Sequence, residues 1–102
     1  MNLATFTKQL KNISEAPSVS GKVVYEDIIV QNQSIIYTRK STGHIQALLI
    51  EGLFEAYQKE EKINTRILRP YVWGDKFSPA LAILLAAGFY EKRDGKYLKV
   101  KL

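Results

Sequence analysis

The 102-residue sequence has no cysteine. Disulfides and thiolate metal sites are therefore excluded, and the lack suits a reducing compartment, so a cytoplasmic location is expected. Histidine is nearly absent too. His44 is the only one, with no nucleophile nearby and no metal-ligand spacing, so it reads as a surface or capping residue. No apolar run approaches the roughly twenty residues that cross a bilayer, and residues 1–20 lack the continuous apolar stretch of a secretory leader. No membrane contact is expected. Ser20-Gly21-Lys22 looks like part of a phosphate loop, but Val23 follows the lysine and the earlier glycine is missing. Glu26-Asp27 has no identifiable converging partner for metal or acid–base chemistry. No repeat or low-complexity segment occurs. Without a nucleophile, a histidine–carboxylate spacing or a phosphate loop, the chain is read as a non-enzyme that needs no cofactor and no metal.

Acidic residues are scarce in one half only. Residues 1–61 hold six Lys/Arg against seven Asp/Glu; residues 62–102 hold nine against three, and the whole chain carries +5. A basic half suits an acidic partner, of which nucleic acid is the commonest; a merely solvated basic surface is the alternative.

The clearest local signal runs from Phe77 to Phe89. Ser78 is placed to cap a helix and Pro79 to occupy its first helical position. Ala80 to Ala87 has no charge, and Gly88 can end the helix in a left-handed conformation. A helix apolar on every side is buried on every side, which predicts a central core helix. Asp94-Gly95 then predicts a hairpin turn pairing Arg93 with Lys96, Lys92 with Tyr97 and Tyr90 with Lys99. Alternation puts Phe89, Leu98, Val100 and Leu102 on the core face. It puts Tyr90, Lys92, Tyr97, Lys99 and Lys101 on an exposed face of aromatics and cations.

Upstream, Leu3, Phe6, Leu10 and Ile13 have helical spacing. Glu15 to Gly21 reads as a loop. Residues 22–40 read as a β-hairpin around Gln31-Asn32-Gln33, with Val23, Tyr25 and Ile29 on one face and Val24, Ile28 and Val30 on the other. Both faces are apolar, so the hairpin is expected to be covered twice or to meet a partner. Ile45, Leu48, Leu49, Gly52, Leu53, Ala56 and Tyr57 predict an amphipathic helix capped by Thr42. Asn64-Thr65 starts another short helix, with Ile67, Leu68 and Tyr71 inward and Arg66 and Arg69 outward, before Pro70 and the turn at Trp73-Gly74-Asp75.

The expected fold is α+β in one domain over residues 1–102: an N-terminal helix and loop (1–21), a β-hairpin (22–40), and a part spanning 44–102. In all, two antiparallel hairpins pack with about four helices. The layout of residues 44–102, helices followed by a two-stranded hairpin, resembles a winged-helix module. That resemblance implies DNA binding through the third helix, but Pro79 to Ala87 has no polar side chain to read bases, which leaves the wing as the contact. Ser78-Pro79, Leu84, Ala87-Gly88-Phe89, Gly95 and Leu98 resemble the extreme C-terminal segment of Lhr-type helicases. This implies at most an accessory domain near nucleic-acid machinery, since the motor motifs are absent.

The function expected is therefore non-catalytic nucleic-acid binding. Arg66, Arg69, Lys76, Lys92, Arg93, Lys96, Lys99 and Lys101 would neutralise phosphates. Tyr71, Trp73, Tyr90 and Tyr97 would stack on bases. The alternative is a protein-interaction or homodimerisation module using the apolar hairpin at 22–40.

Overall fold

The computed structural model describes residues 1–101. It is an α+β fold of four α-helices and two antiparallel sheets, one of four strands and one of three. Leu102, expected on the core face of the wing, lies outside the described residues.

Helix α1 (Leu3–Leu10) starts at Asn2, whose side chain accepts a hydrogen bond from the Thr5 N–H at 2.8 Å. It buries Phe6 and Leu10 and leaves Leu3 exposed. Phe6 stacks on Phe89 with ring centroids 4.2 Å apart and also meets Phe54 and Tyr57. The N-terminal helix is thus tied to the C-terminal half by an aromatic cluster.

The first sheet runs in the order β1 (Ala16–Pro17), β2 (Val24–Gln31), β3 (Ser34–Arg39), β4 (His44–Leu49). Three sequence expectations change here. Ala16-Pro17 is not plain loop, because it pairs with Tyr25 and Val24. Second, β2 carries a bulge between Glu26 and Ile29, with Asp27 at φ 52°. The extra residue shifts the alternation by one. Tyr25, Ile28 and Val30 therefore share the inner face with Ile35 and Tyr37, while Val24, Glu26 and Ile29 face outward with Ile36. Third, residues 44–49 are a strand and not the first turns of a helix. Gly43 at φ 72° closes a tight turn onto Arg39, and β4 pairs with β3 along its whole length. Ile45, Leu48 and Leu49 fit either period over so short a span. Pairing decides it, since a strand here satisfies the open edge of β3 and buries Leu48 opposite Ile35. Thr42 accordingly caps no helix.

Helix α2 (Ile50–Lys59) follows β4 without a break and buries Ile50, Leu53, Ala56 and Tyr57 on one stripe. Its glycine has a steric cause: a Cβ on Gly52 would run into the backbone carbonyl of Tyr71. Two residues, Lys62–Ile63, then form β5. Asn64 caps α3 (Thr65–Leu68) through a 2.8 Å bond from the Ile67 N–H, and a 3₁₀ turn over Arg69–Tyr71 takes up Pro70.

Helix α4 (Phe77–Ala86) is the expected core helix, buried from Pro79 to Leu84 and packed between β1, α3 and the C-terminal hairpin. It starts two residues early. Lys76 is the N-cap without a side-chain bond, and Ser78 is an exposed helical residue. Pro79 still falls in the first turn, where its missing N–H has no intrahelical partner to lose. At the other end Gly88 takes φ 82°, its N–H donates to Leu85 and the Phe89 N–H donates to Leu84. Gln9 of α1 closes the same end by donating to the Ala87 carbonyl at 2.6 Å.

Strands β6 (Tyr90–Arg93) and β7 (Lys96–Lys99) pair in the expected register around Asp94-Gly95, both at positive φ. β5 joins them, giving the sheet order β5-β7-β6.

Candidate nucleic-acid interface

The second sheet decides which cations and aromatics are available. Its face bearing Tyr90, Tyr97 and Lys99 is turned towards α2 and the core, not towards solvent. Tyr90 is 2% exposed. Its hydroxyl donates to the Glu60 carbonyl at 2.7 Å, and its ring meets Tyr57 edge-on. Lys99 is 13% exposed and places its ammonium 4.9 Å from the centre of the Tyr57 ring, close to the Gln58 carbonyl and the Glu61 carboxylate. These two residues are the join between wing and body. The sequence expectation of an exposed aromatic–cation face is corrected for both.

The reason is chemical. The final carbonyls of α2 have no intrahelical donors. A tyrosine hydroxyl and an ammonium supply them, while the Lys99 stem and charge cover an aromatic ring. Sequence alternation separates the two faces of a hairpin but does not say which one docks.

The other ten candidates fall in different places. Tyr71 is half-buried and donates to the Glu60 carboxylate at 2.6 Å; that bond and partial burial push its pKa up to about 12. Tyr97 is half-buried against the core opposite Ile63 of β5. Arg69 lays its guanidinium over the Phe77 ring, 5.1 Å from its centre. Lys76 donates to the Ala47 carbonyl of β4 at 3.2 Å. Arg93 pairs with Glu91 at 3.1 Å. Arg66, Lys92, Lys96 and Lys101 are exposed, with no carboxylate within 4 Å among the described residues. Trp73 is 82% exposed.

The twelve do not form one surface. Lys92, Arg93 and Lys96 gather at the wing tip. Lys101 lies beside Lys99 and Glu61 at the base of the wing. Arg69, Tyr71, Trp73 and Lys76 belong to the α3–α4 segment, which runs along β4. One cation was missed: Lys62 sits on β5 opposite Leu98, so it shares a sheet face with Arg93 and Lys96. A two-residue strand leaves no periodic signal that would have placed it.

A second surface emerges from the bulge and from β4. Ile29, Ile45 and Leu49 all point away from the core on the outer face of the first sheet, 54%, 73% and 53% exposed. Ile36 and Ala47 lie between them, and Trp73 stands beside Leu49. Comparison of the chain with protein-family models, with curated proteins and with solved structures found no match in any of the three.

Proposed function

We propose that this chain is a non-catalytic, sequence-independent nucleic-acid-binding module that engages the phosphate backbone with the tip of its C-terminal wing. The observation that carries the reading is the charge placement at the tip. Arg93 and Lys96 stand directly opposite each other across the β6–β7 pair. Like charges so placed destabilise a hairpin. Lys62 and Lys92 add two more cations, and Glu91 is engaged with Arg93. A polyanion would relieve that repulsion.

The winged-helix-like layout supports the same reading, with one restriction. In helix α4 only Ser78 and Ala86 are exposed, so it offers no row of polar side chains for base readout in a major groove. Stacking capacity rests on Trp73, because Tyr90 is buried and Tyr71 and Tyr97 are half-buried. Binding of about three phosphates is weak and strongly salt-dependent. The test is fluorescence anisotropy with a duplex oligonucleotide. Lys92→Ala with Lys96→Ala should flatten the log–log salt slope by up to about 1.8, near 0.9 per contact. An unchanged slope refutes the wing-tip assignment.

The open face of the first sheet favours a second reading, self-association of two copies through that face. Ile29, Ile45, Leu49 and Trp73 together expose on the order of 500 Å², against roughly 800 Å² per partner in a stable complex. The face therefore supports a weak, concentration-dependent dimer. Sedimentation velocity in high salt separates the two readings, since apolar association survives where phosphate contacts are screened.

A further inference from the structure

A polar cleft of about 290 Å³ opens between the first sheet and the start of α4. It lies on the inner side of the sheet and shares Lys76 with the α3–α4 segment described above. Its walls are the β1–β2 loop, the end of β3, the middle of β4 and residues 75–79. We propose that this cleft binds a phosphate group, carried by a small phosphate monoester or by a nucleic-acid backbone.

Tyr25 is the first observation. Four tyrosines are buried: Tyr25, Tyr37, Tyr57 and Tyr90. Three of them spend their hydroxyls inside the protein, on Gln46, on the Val100 carbonyl and on the Glu60 carbonyl. Tyr25 is 5% exposed, yet its hydroxyl has no hydrogen-bond partner among the described residues. No fully enclosed side-chain nitrogen or oxygen lacks a partner among the described residues, so the small exposed part of Tyr25 includes this hydroxyl. The cavity that Tyr25 lines is this cleft. Burial raises its pKa above the usual value, so at neutral pH the hydroxyl is a donor waiting for an acceptor.

The start of α4 is the second observation. This ten-residue helix has no side-chain cap. The N–H groups of Phe77 and Ser78 have no acceptor among the described residues, and Pro79 has no N–H to offer. Ser78 lines the cleft with its hydroxyl unengaged. An uncapped helix start carries partial positive charge and free donors, which together suit an oxyanion.

The charges complete the site. Arg39 and Lys76 both line the cleft. The Arg39 guanidinium is close enough to Tyr25 to oppose the upward push of burial on its hydroxyl. Lys76 is held in place through the Ala47 carbonyl. One carboxylate, Asp75, shares the cleft and leaves a net positive charge. Two cations, one unpartnered hydroxyl facing the cleft and a helix start match the donors that a tetrahedral oxyanion accepts. The volume sits at the low end for ligand sites, room for a phosphate with a small organic group.

The test uses the full chain and inorganic phosphate as first probe, followed by two-dimensional ¹H–¹⁵N NMR. Phosphate, against sodium chloride of equal ionic strength, should shift the amide signals of Phe77 and Ser78 saturably. Tyr25→Phe removes only the hydroxyl and should weaken the site roughly tenfold; Arg39→Ala should do so at least as strongly. Circular dichroism confirms that both variants fold. Glycerol phosphate and a short oligonucleotide form two further arms. Displacement of glycerol phosphate by the oligonucleotide supports the site with a backbone phosphate as its source. Oligonucleotide that leaves these signals unmoved supports it with a small monoester. Absence of saturable shifts at tens of millimolar phosphate overturns the proposal, as does unchanged affinity in both variants.

Discussion

Removing a single oxygen from Tyr90 tests how the wing is held. The Tyr90 hydroxyl donates to the Glu60 carbonyl at 2.7 Å, with the Ala56 carbonyl at 3.4 Å. Ala56 keeps its bond from the Glu60 N–H at 2.8 Å, so Tyr90→Phe leaves one carbonyl unsatisfied, that of Glu60. Glu60 is half-buried, and water can reach part of it. The loss is therefore about 1–1.5 kcal/mol, in the range of one net hydrogen bond. For a chain of this size that lowers Tm by roughly 4–10 °C. Tyr97→Phe is the matched control. Its hydroxyl has no partner among the described residues, so its effect stays within about 0.5 kcal/mol. Thermal unfolding followed by circular dichroism reads both. Equal shifts in the two variants would refute the docking of the wing through Tyr90. So would an unchanged Tm combined with lost oligonucleotide affinity, which would return Tyr90 to a surface role.

Other consequences follow from packing and charge. Gly52→Ala places a methyl against the Tyr71 carbonyl, and should cost about 1–3 kcal/mol by urea denaturation although alanine is the better helix former. Burial raises the pKa of Tyr37 and Tyr90 above their usual value of about 10. Both stay protonated in the folded chain while the unfolded chain ionises, so stability holds below about pH 10 and falls as pH rises beyond it. The slope is about 1.4 kcal/mol per pH unit for each such tyrosine, and tyrosinate absorbance should rise together with loss of ellipticity. A gradual rise in absorbance at intact ellipticity would contradict it. Ile45→Lys, at a side chain 73% exposed on the outer sheet face, should abolish concentration-dependent sedimentation without lowering Tm; sedimentation unaffected by the change would remove the self-association reading.

Much of the fold was legible because some segments carry their own instructions. The uncharged run from Ala80 to Ala87 admits only burial, and Gly88 and Asp94-Gly95 specify backbone conformations that few residues take. Asn64 announces a helix start by its own side-chain chemistry. The misreadings arose where non-local pairing decides. Residues 44–49 satisfy both helical and strand periods, and only the free edge of β3 chooses between them. The bulge at Asp27 is invisible to a strict alternation count, yet it sends Ile29 outward and Tyr25 and Ile28 inward together. At the candidate interface, the twelve residue types were readable but their availability was not. Tyr90 and Lys99 are consumed by carbonyls at the end of α2, a demand that arises only once wing and helix meet. Tyr25 likewise attracts notice only when its hydroxyl is compared with those of the other buried tyrosines.

The salt dependence of duplex binding tests the central claim most directly. Anisotropy titrations of the unaltered chain between about 20 and 200 mM salt should give a log–log slope between about −2 and −4, near 0.9 for each phosphate that Lys62, Lys92, Arg93 and Lys96 reach. The affinity should be the same for unrelated sequences. A slope near zero, or no binding at the lowest salt, would contradict a phosphate-binding wing and leave the open face of the first sheet as the functional surface.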